Sequence, residues 1–168
     1  MNTPYILHRI VMPHGGREEE RQAALALVRR VFGPDAIIGH TPAGAPVVER
    51  AETSGRHISI SHSDIECVLA VADVPVGVDV EVPRAQLVRV SGKFLSKNER
   101  VELTPEALLP YWTAKEAVYK AAGIHGLGLV EIEVNPLCGT AMARGRIFSI
   151  SYTENSHGLE AVAVEKSL

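Results

Sequence analysis

Cysteine is scarce in this 168-residue chain, and that scarcity excludes two kinds of protein. Cys67 and Cys138 are the two cysteines, and they lie far apart without C-x-x-C spacing. They therefore cannot form a zinc site by themselves, and a disulfide framework is not expected. We interpret them as reduced, partly buried thiols.

Long apolar runs are also missing from the sequence. No stretch approaches the roughly 20 apolar residues that a membrane-spanning helix needs. The first residues include Pro4, His8 and Arg9 and lack the apolar centre of a signal peptide. We therefore expect a cytoplasmic protein with no membrane partner.

An excess of positive charge is the third missing feature. The chain has 17 Lys and Arg against 20 Asp and Glu, a formal charge of −3, so no nucleic-acid partner is expected. Its 46% hydrophobic and 22% charged residues are typical of a soluble globular chain, and its length suits one domain or two very small fused ones.

The hydrophobic pattern predicts an α+β fold. Apolar periodicity at helical spacing indicates a helix over 17–32, and Gly33-Pro34 ends it. A loop is predicted over 41–46. Alternating or continuous apolar segments predict seven strands, over 5–12, 57–61, 67–72, 76–82, 130–134, 145–153 and 159–164.

Two further helices are predicted in the middle of the chain. Ser96 and Glu99 have the spacing of a capping box, which predicts a short helix through Leu103. Pro110 suits the first turn of a longer helix, and Gly123 suits the position just after its end.

Asp79 and Glu81 alternate with valines in the predicted strand over 76–82, so their carboxylates share one face. An exposed strand with alternating charges is a common explanation. Two such carboxylates repel each other unless a cation lies between them, however, and Mg²⁺ commonly binds one or two carboxylates together with phosphate and water.

Glu116 and Lys120 are four residues apart, the spacing of an ordinary exposed ion pair on a helix. Trp112 shares their face, and an aromatic of that size seldom lies on a fully solvated stripe. Lys115 is next to this face and adds a second cation. The helix therefore offers one carboxylate and two ammonium groups to a metal-bound pyrophosphate.

His62 begins a polar stretch after a predicted strand and lies between Ser61 and Ser63. A single histidine is more often structural than catalytic. A loop rich in hydroxyl groups is nevertheless a reasonable phosphate-binding element. The spacing does not indicate a Ser-His-Asp triad.

Taken together, these segments resemble the signature of the 4′-phosphopantetheinyl transferase superfamily. The matching segments are I-S-H-S at 60–63, G-V-D-V-E at 77–81, F-L-S-K-N-E at 94–99 and W-T-A-K-E-A-V-Y-K at 112–120. Their order and spacing also match, and the resemblance is clear over about 57–129.

The resemblance implies a fold of two similar α+β halves related by a pseudo-twofold, as in the compact, surfactin-synthetase-activator-like type, and a monomer. Residues 1–75 would form the coenzyme A half and 76–168 the metal and catalytic half. The similarity of S-I-S at 59–61 to S-I-S at 149–151 weakly supports two halves.

The resemblance also implies an activity and a set of site residues. The enzyme would transfer 4′-phosphopantetheine from coenzyme A to a serine of an apo acyl or peptidyl carrier protein of fatty-acid, polyketide or nonribosomal-peptide synthesis. Mg²⁺, with Mn²⁺ fitting nearly as well, would bind Asp79, Glu81 and Glu116. Glu116 is either a third ligand or the general base. The residues implied to contact coenzyme A are Arg21, Ser61, His62, Lys115 and Lys120.

One departure concerns the cations near the nucleotide. This chain has Gly44-Ala45-Pro46 where relatives often have a lysine in the middle position, so either one cation is missing or Arg50 or Arg56 replaces it. The alternative functions are a degenerate module that binds coenzyme A or a carrier without catalysis, a Mg²⁺-dependent pyrophosphohydrolase, and a structural domain.

Overall fold

The computed structural model of the protein describes residues 4–156 and 158–166. Runs of antiparallel strands are separated by helices along the chain, which confirms the predicted α+β class. The three α-helices of the described residues are α1 (Arg17–Phe32), α2 (Gln86–Val90) and α3 (Pro105–Ala122). The ten strands found there are β1 (Tyr5–Val11), β2 (Ile37–His40), β3 (Pro46–Glu49), β4 (His57–His62), β5 (Glu66–Ala72), β6 (Val76–Glu81), β7 (Ile132–Asn135), β8 (Thr140–Ala143), β9 (Arg146–Asn155) and β10 (Gly158–Glu165).

The first sheet has the strand order β1-β5-β4, with antiparallel pairing throughout. Its central strand β5 is buried on both faces, which is why its sequence is apolar without alternation. Cys67, Leu69 and Val71 pack in one cluster with Leu27 and Val28 of α1. The alternate residues of β5 point the other way, toward the second sheet.

The second sheet has the strand order β6-β10-β9-β8-β7. Val76, Val78 and Val80 of β6 pack with Val68 and Ala70 of β5, so the valine face of β6 forms the core between the two sheets. The opposite face of β6, which carries Asp79, lies against α3. Although β6 is the edge strand of this sheet, both of its faces are buried, so it is not the solvated strand that alternating charges usually indicate.

A charged contact also joins the two sheets. The Arg9 guanidinium of β1 donates to Glu160 of β10 at 2.9 Å and lies 3.6 Å from Glu66 of β5. Both carboxylates are almost fully buried, so each depends on Arg9 to offset its desolvation. This contact therefore helps to hold the first sheet against the second.

Helix α3 begins and ends as its sequence signals indicate. The Thr104 hydroxyl accepts the Ala107 N–H at 3.2 Å as the N-cap, and Pro105 occupies the first turn. Gly123 ends the helix in the left-handed conformation. The prediction that Pro110 lies in the first turn is wrong, because the helix starts five residues earlier and Pro110 lies inside it.

The short helix predicted from Ser96 through Leu103 is absent from the described residues, which have no regular structure over 96–103. Glu99 does accept the Ser96 N–H at 2.7 Å, as a capping box requires. The same carboxylate also accepts a hydrogen bond from the Val134 N–H and forms an ion pair with Lys115, each at 2.8 Å. The capping-box residues therefore do not start a helix here, because Glu99 instead makes tertiary contacts with α3 and β7.

Three short strands were not predicted from the sequence: β2, β3 and β8 have four residues each. Glycine and proline near them conceal their periodicity.

Within the described residues no helix is long and apolar enough to cross a membrane. The cytoplasmic location, the pseudo-twofold and the division near residue 75 remain predictions, and the outer limits of that division, residues 1 and 168, lie outside the described residues.

Candidate active site

Asp79 is the centre of a polar cluster between β6 and α3. Its side chain is only 8% exposed. The Asp79 Oδ1 atom accepts hydrogen bonds from Lys120 Nζ at 2.8 Å and from Ser61 Oγ at 3.1 Å. The other oxygen, Oδ2, is buried and has no hydrogen-bond partner among the described residues. A buried carboxylate oxygen without a partner is costly, which indicates a site for a positively charged ligand.

Gly77 explains how α3 comes so close to this strand. A Cβ atom at this position would lie 1.8 Å from the Ala117 carbonyl oxygen of α3. Because glycine has no Cβ, the helix backbone can pack directly on β6. This close approach brings the α3 residues Glu116 and Lys120 beside Asp79.

Lys120 lies near the end of α3 and turns its ammonium group toward β6. Besides Asp79, it donates to the Val78 carbonyl oxygen at 2.9 Å. Its side chain is 28% exposed, so one side of the ammonium group remains open to a ligand. The cation is therefore held in place by two protein oxygens.

Glu116 is half-buried on the same face of α3. Burial raises the pKa of its carboxyl above the ordinary value, and the carboxylates of Asp79 and Glu81 raise it further, while Lys120 opposes them. A carboxylate with a raised pKa is a stronger base than an exposed one. Glu116 is thus suited to accept a proton at this site.

Glu81, two residues after Asp79 on the same strand face, is held by neighbouring side chains. Trp112 Nε1 donates to Glu81 Oε1 at 3.2 Å, and Arg84 forms an ion pair with Oε2. Trp112 lies on the same face as Glu116 and Lys120, as the helical spacing predicts. Both oxygens of Glu81 therefore have partners, in contrast to those of Asp79.

Ser61 and His62 lie at the end of β4, beside this cluster. Ser61 is buried, and its hydroxyl accepts the Val80 N–H at 3.2 Å while contacting Asp79. Ser61 therefore positions the Asp79 carboxylate. The His62 side chain is 48% exposed and lies 3.5 Å from Glu20 of α1, so its ring remains accessible.

Lys115 and Arg21 are not brought to the cluster. The Lys115 side chain is fully buried, where its ammonium group binds Glu99 and the carbonyl oxygens of Leu129 and Ile132. Adjacent residues point about 100° apart on a helix, so Lys115 points away from the face of Glu116. The Arg21 side chain is 77% exposed, with Glu18 as its ion-pair partner.

A cavity of about 520 Å³ opens beside Lys120. The loop over 42–46, strand β4, the end of α3 with Tyr119, and the residues that follow α3, including His125, form its walls. A neighbouring cavity of about 380 Å³ shares Lys120 and Ala45 with it and is also lined by Arg56. The sequence pattern indicated the loop and Arg56 but not Tyr119, because an exposed tyrosine on a helix carries no distinctive signal.

The predicted ligands Asp79, Glu81 and Glu116 fit Mg²⁺ only as an open site, in which other ligands complete the coordination. Within the described ranges, no three Asp, Glu, His or Cys side chains converge as a group that could hold a metal ion. The three predicted ligands therefore do not form a closed cage. Mg²⁺ does not need one, since it commonly uses one or two carboxylates together with phosphate oxygens and water. The unpartnered Asp79 Oδ2 and the nearby carboxylates meet that requirement.

Comparison with known proteins agrees with this geometry. Residues 75–159, half of the chain, match the family model described as the 4′-phosphopantetheinyl transferase superfamily. This match includes β6, α3 and every residue of the cluster except Ser61 and His62. The chain belongs to the 4′-phosphopantetheinyl transferase superfamily, as the motif resemblance predicted.

A curated relative supports the same conclusion over a shorter span. The chain is 34% identical over 74 residues to a protein named 4′-phosphopantetheinyl transferase gsp, from Aneurinibacillus migulanus. The aligned region is 40% of this chain and 31% of the relative. The chain therefore aligns with less than a third of the relative's length.

Proposed function

We propose that the protein transfers 4′-phosphopantetheine from coenzyme A to a serine hydroxyl of an apo carrier protein and releases 3′,5′-adenosine diphosphate. The observation that supports this most strongly is the arrangement around Asp79. A buried carboxylate with one unpartnered oxygen lies beside a fixed ammonium group, a half-buried glutamate and two adjoining cavities. These are the groups that a pyrophosphate ester and an attacking hydroxyl require.

A divalent cation is part of this proposal. Asp79, with Glu81 or Glu116, would hold Mg²⁺, or Mn²⁺ nearly as well, and the substrate pyrophosphate and water would complete its ligands. When bound, the cation would supply charge neutralisation at the phosphorus under attack. Arg84 would compete with the cation for Glu81 Oε2.

Glu116 acts as the general base in the proposed reaction. It accepts the proton of the carrier serine, whose Oγ forms a new bond to the β-phosphorus of coenzyme A. The bond between that phosphorus and the oxygen bridging to the α-phosphate breaks. The electron pair leaves with 3′,5′-adenosine diphosphate, and Lys120 stabilises the developing negative charge. No covalent enzyme intermediate is needed.

The donor is proposed to lie in the cavities beside Lys120, where the 42–46 loop and Tyr119 line its path. Ala45 leaves this loop without a cation, and Arg56 and Arg146 line the adjoining cavity together with Lys120. His62 remains a proposed phosphate contact because its ring is accessible. For Ser61 we propose an indirect role, through Asp79.

Intact-mass spectrometry tests the proposal directly. We expect apo acyl and peptidyl carriers, mixed with the protein, coenzyme A and Mg²⁺, to gain one phosphopantetheine, and chelation of the metal to prevent it. Asp79→Ala and Glu116→Gln should abolish transfer, and Lys120→Ala should mainly lower turnover by about 10²-fold or more. Glu106→Gln, on the exposed first turn of the same helix, is the matched control and should transfer normally.

A binding-only module is the second candidate, and one observation favours it: both oxygens of Glu81 are already held by Trp112 and Arg84. Calorimetry separates the two functions. Coenzyme A binding without mass gain on any carrier would support the binding module. Absence of both binding and transfer would overturn both candidates.

A further inference from the structure

An acidic side chain lies beside the histidine that the motif resemblance assigns to coenzyme A. The His62 Nε2 atom is 3.5 Å from Glu20 Oε2, and Glu20 belongs to the first turn of α1. The Glu20 side chain is 22% exposed, so most of it is withdrawn from solvent. A carboxylate in this position engages a ring nitrogen that an anionic ligand would need. The proposed phosphate contact of His62 therefore already has a negatively charged partner.

The phase of α1 explains why a glutamate and not an arginine reaches this histidine. Glu20 lies three residues before Ala23 and seven before Leu27, and both of these pack against β5. Glu20 is therefore at the start of the helix face that lies on the sheet. Arg21 points about 100° away from it, toward solvent, where it pairs with Glu18. The helix thus presents negative charge to the end of β4.

Both sides of this contact are fixed by the backbone. His62 is the last residue of β4, and in the turn that follows, the Ser63 N–H donates to the Glu66 carbonyl oxygen at 2.9 Å. The Glu20 N–H donates to the Gly16 carbonyl oxygen at 2.9 Å at the start of α1. Only side-chain rotation can separate the carboxylate from the ring. A ligand at His62 must therefore displace Glu20 or share the imidazole with it.

The charge of Glu20 is also felt at Cys67, the residue that pairs with His62 across β4 and β5. Burial raises the pKa of the Cys67 thiol to about 11, and the carboxylates of Glu20 and Glu66 contribute to the increase. A raised thiol pKa indicates surroundings that disfavour negative charge. A phosphate group placed beside His62 would meet the same repulsion.

His62 and the proposed pyrophosphate site lie on opposite faces of β4. The Ser61 hydroxyl contacts Asp79, and successive side chains of a strand point to opposite sides. The pyrophosphate proposed to lie between Asp79 and Lys120 is therefore not the group that reaches His62. Coenzyme A carries one further phosphate, on the 3′-oxygen of its ribose. This phosphate is the remaining anionic group of the donor that is available to His62.

We propose that Glu20 is a specificity-determining residue that competes with the ribose 3′-phosphate of the donor for His62. This inference rests on the proposed transfer function. The carboxylate repels the phosphate and engages the ring nitrogen, while the pyrophosphate is held on the other face of the strand. The protein therefore discriminates only weakly between coenzyme A and 3′-dephospho-coenzyme A.

Calorimetry with these two donors at pH 7 measures the competition. Glu20→Gln should bind coenzyme A about three- to tenfold more tightly than the original protein, and 3′-dephospho-coenzyme A within about twofold of it. In transfer assays its KM for coenzyme A should fall, with kcat within about twofold, because the groups around the reacting phosphorus are unchanged. In the His62→Ala background, Glu20→Gln should change coenzyme A affinity by less than about twofold.

Glu19→Gln is the matched control, because it removes one negative charge from the same turn of α1. The glutamine keeps an acceptor oxygen for the His14 N–H that Glu19 now binds. Its affinity for coenzyme A should stay within about twofold of the original. Equal gains for Glu19→Gln and Glu20→Gln would indicate a general effect of charge and would overturn the proposed competition.

The other outcomes separate this inference from the proposed function. An equal gain for both donors, or weaker binding of coenzyme A by Glu20→Gln, would refute competition for the 3′-phosphate. If Arg56→Ala abolishes a preference for coenzyme A that Glu20→Gln leaves unchanged, the 3′-phosphate binds Arg56 and the inference is wrong. Absence of transfer by the original protein from either donor to any carrier would instead contradict the proposed function.

Discussion

Gly77→Ala is the substitution for which the structure allows the clearest estimate. The new Cβ would lie 1.8 Å from the Ala117 carbonyl oxygen and 2.7 Å from the Ala121 nitrogen, whereas ordinary contact begins near 3.4 Å. Both atoms belong to the α3 backbone and cannot turn aside as a side chain would. Helix and strand must therefore separate by roughly 1.6 Å.

A separation of that size affects both stability and chemistry. Overpacking of this kind costs about 1–3 kcal/mol and sometimes more, which in a chain of this size lowers Tm by roughly 2–4 °C per kcal/mol. The 2.8 Å contact between Lys120 and Asp79 would be lost. Because misplacement by about 1 Å can cost 10²-fold in rate, we expect at least that loss of transfer.

The assay is a thermal melt together with transfer measured by intact mass at saturating coenzyme A. Gly92→Ala is the control for the melt, since a Cβ there meets nothing within 4 Å, and its Tm should change little. If Gly77→Ala has an unchanged Tm and transfers within twofold of the original protein, close packing of α3 on β6 does not set the geometry of the site.

Three further predictions follow from charges in and around the site. Glu116→Gln should melt higher than the original protein at pH 8, because the pKa of Glu116 is raised by burial and its ionised form destabilises the fold; the gain should vanish below about pH 4, where the original carboxyl is protonated as well. Arg84→Ala should tighten Mn²⁺ binding about three- to tenfold, measured by electron paramagnetic resonance of free Mn²⁺, because Arg84 competes for Glu81. Lys115→Met should cost about 3–5 kcal/mol in urea unfolding, because it leaves Glu99 buried without its cation.

Each of these predictions has a control or an outcome that contradicts it. Equal melting temperatures for Glu116→Gln and the original protein at pH 8 would show that Glu116 is solvated. Arg89→Ala, an exposed arginine with no carboxylate partner in the described residues, should leave Mn²⁺ affinity unchanged; an equal effect there would indicate general electrostatics. The double variant Lys115→Met/Glu99→Gln should recover part of the lost stability, and a purely additive loss would refute the buried ion pair.

Much of the local structure followed from the sequence. The period of apolar residues predicted α1 with its observed bounds, and the Gly123 signal ended α3 at the correct place. Alternation predicted β6 and placed Asp79 and Glu81 on one face. Short strands such as β8 are not predicted, because four residues show too little periodicity. The helix predicted at Ser96 is absent, because Glu99 binds Lys115 and the Val134 N–H.

The candidate active site was likewise predictable only in part from the sequence. The family is predictable from the sequence alone, because four motifs occur in the order and spacing of that family, and these motifs contain the acidic residues and Lys120. The burial of Asp79, its contact with Ser61 and the pairing of Lys115 with Glu99 became visible only in the folded chain. The periodicity of residue types along the chain predicts which side chains share one face of a helix or strand. Which other element that face contacts depends on how the elements pack in three dimensions.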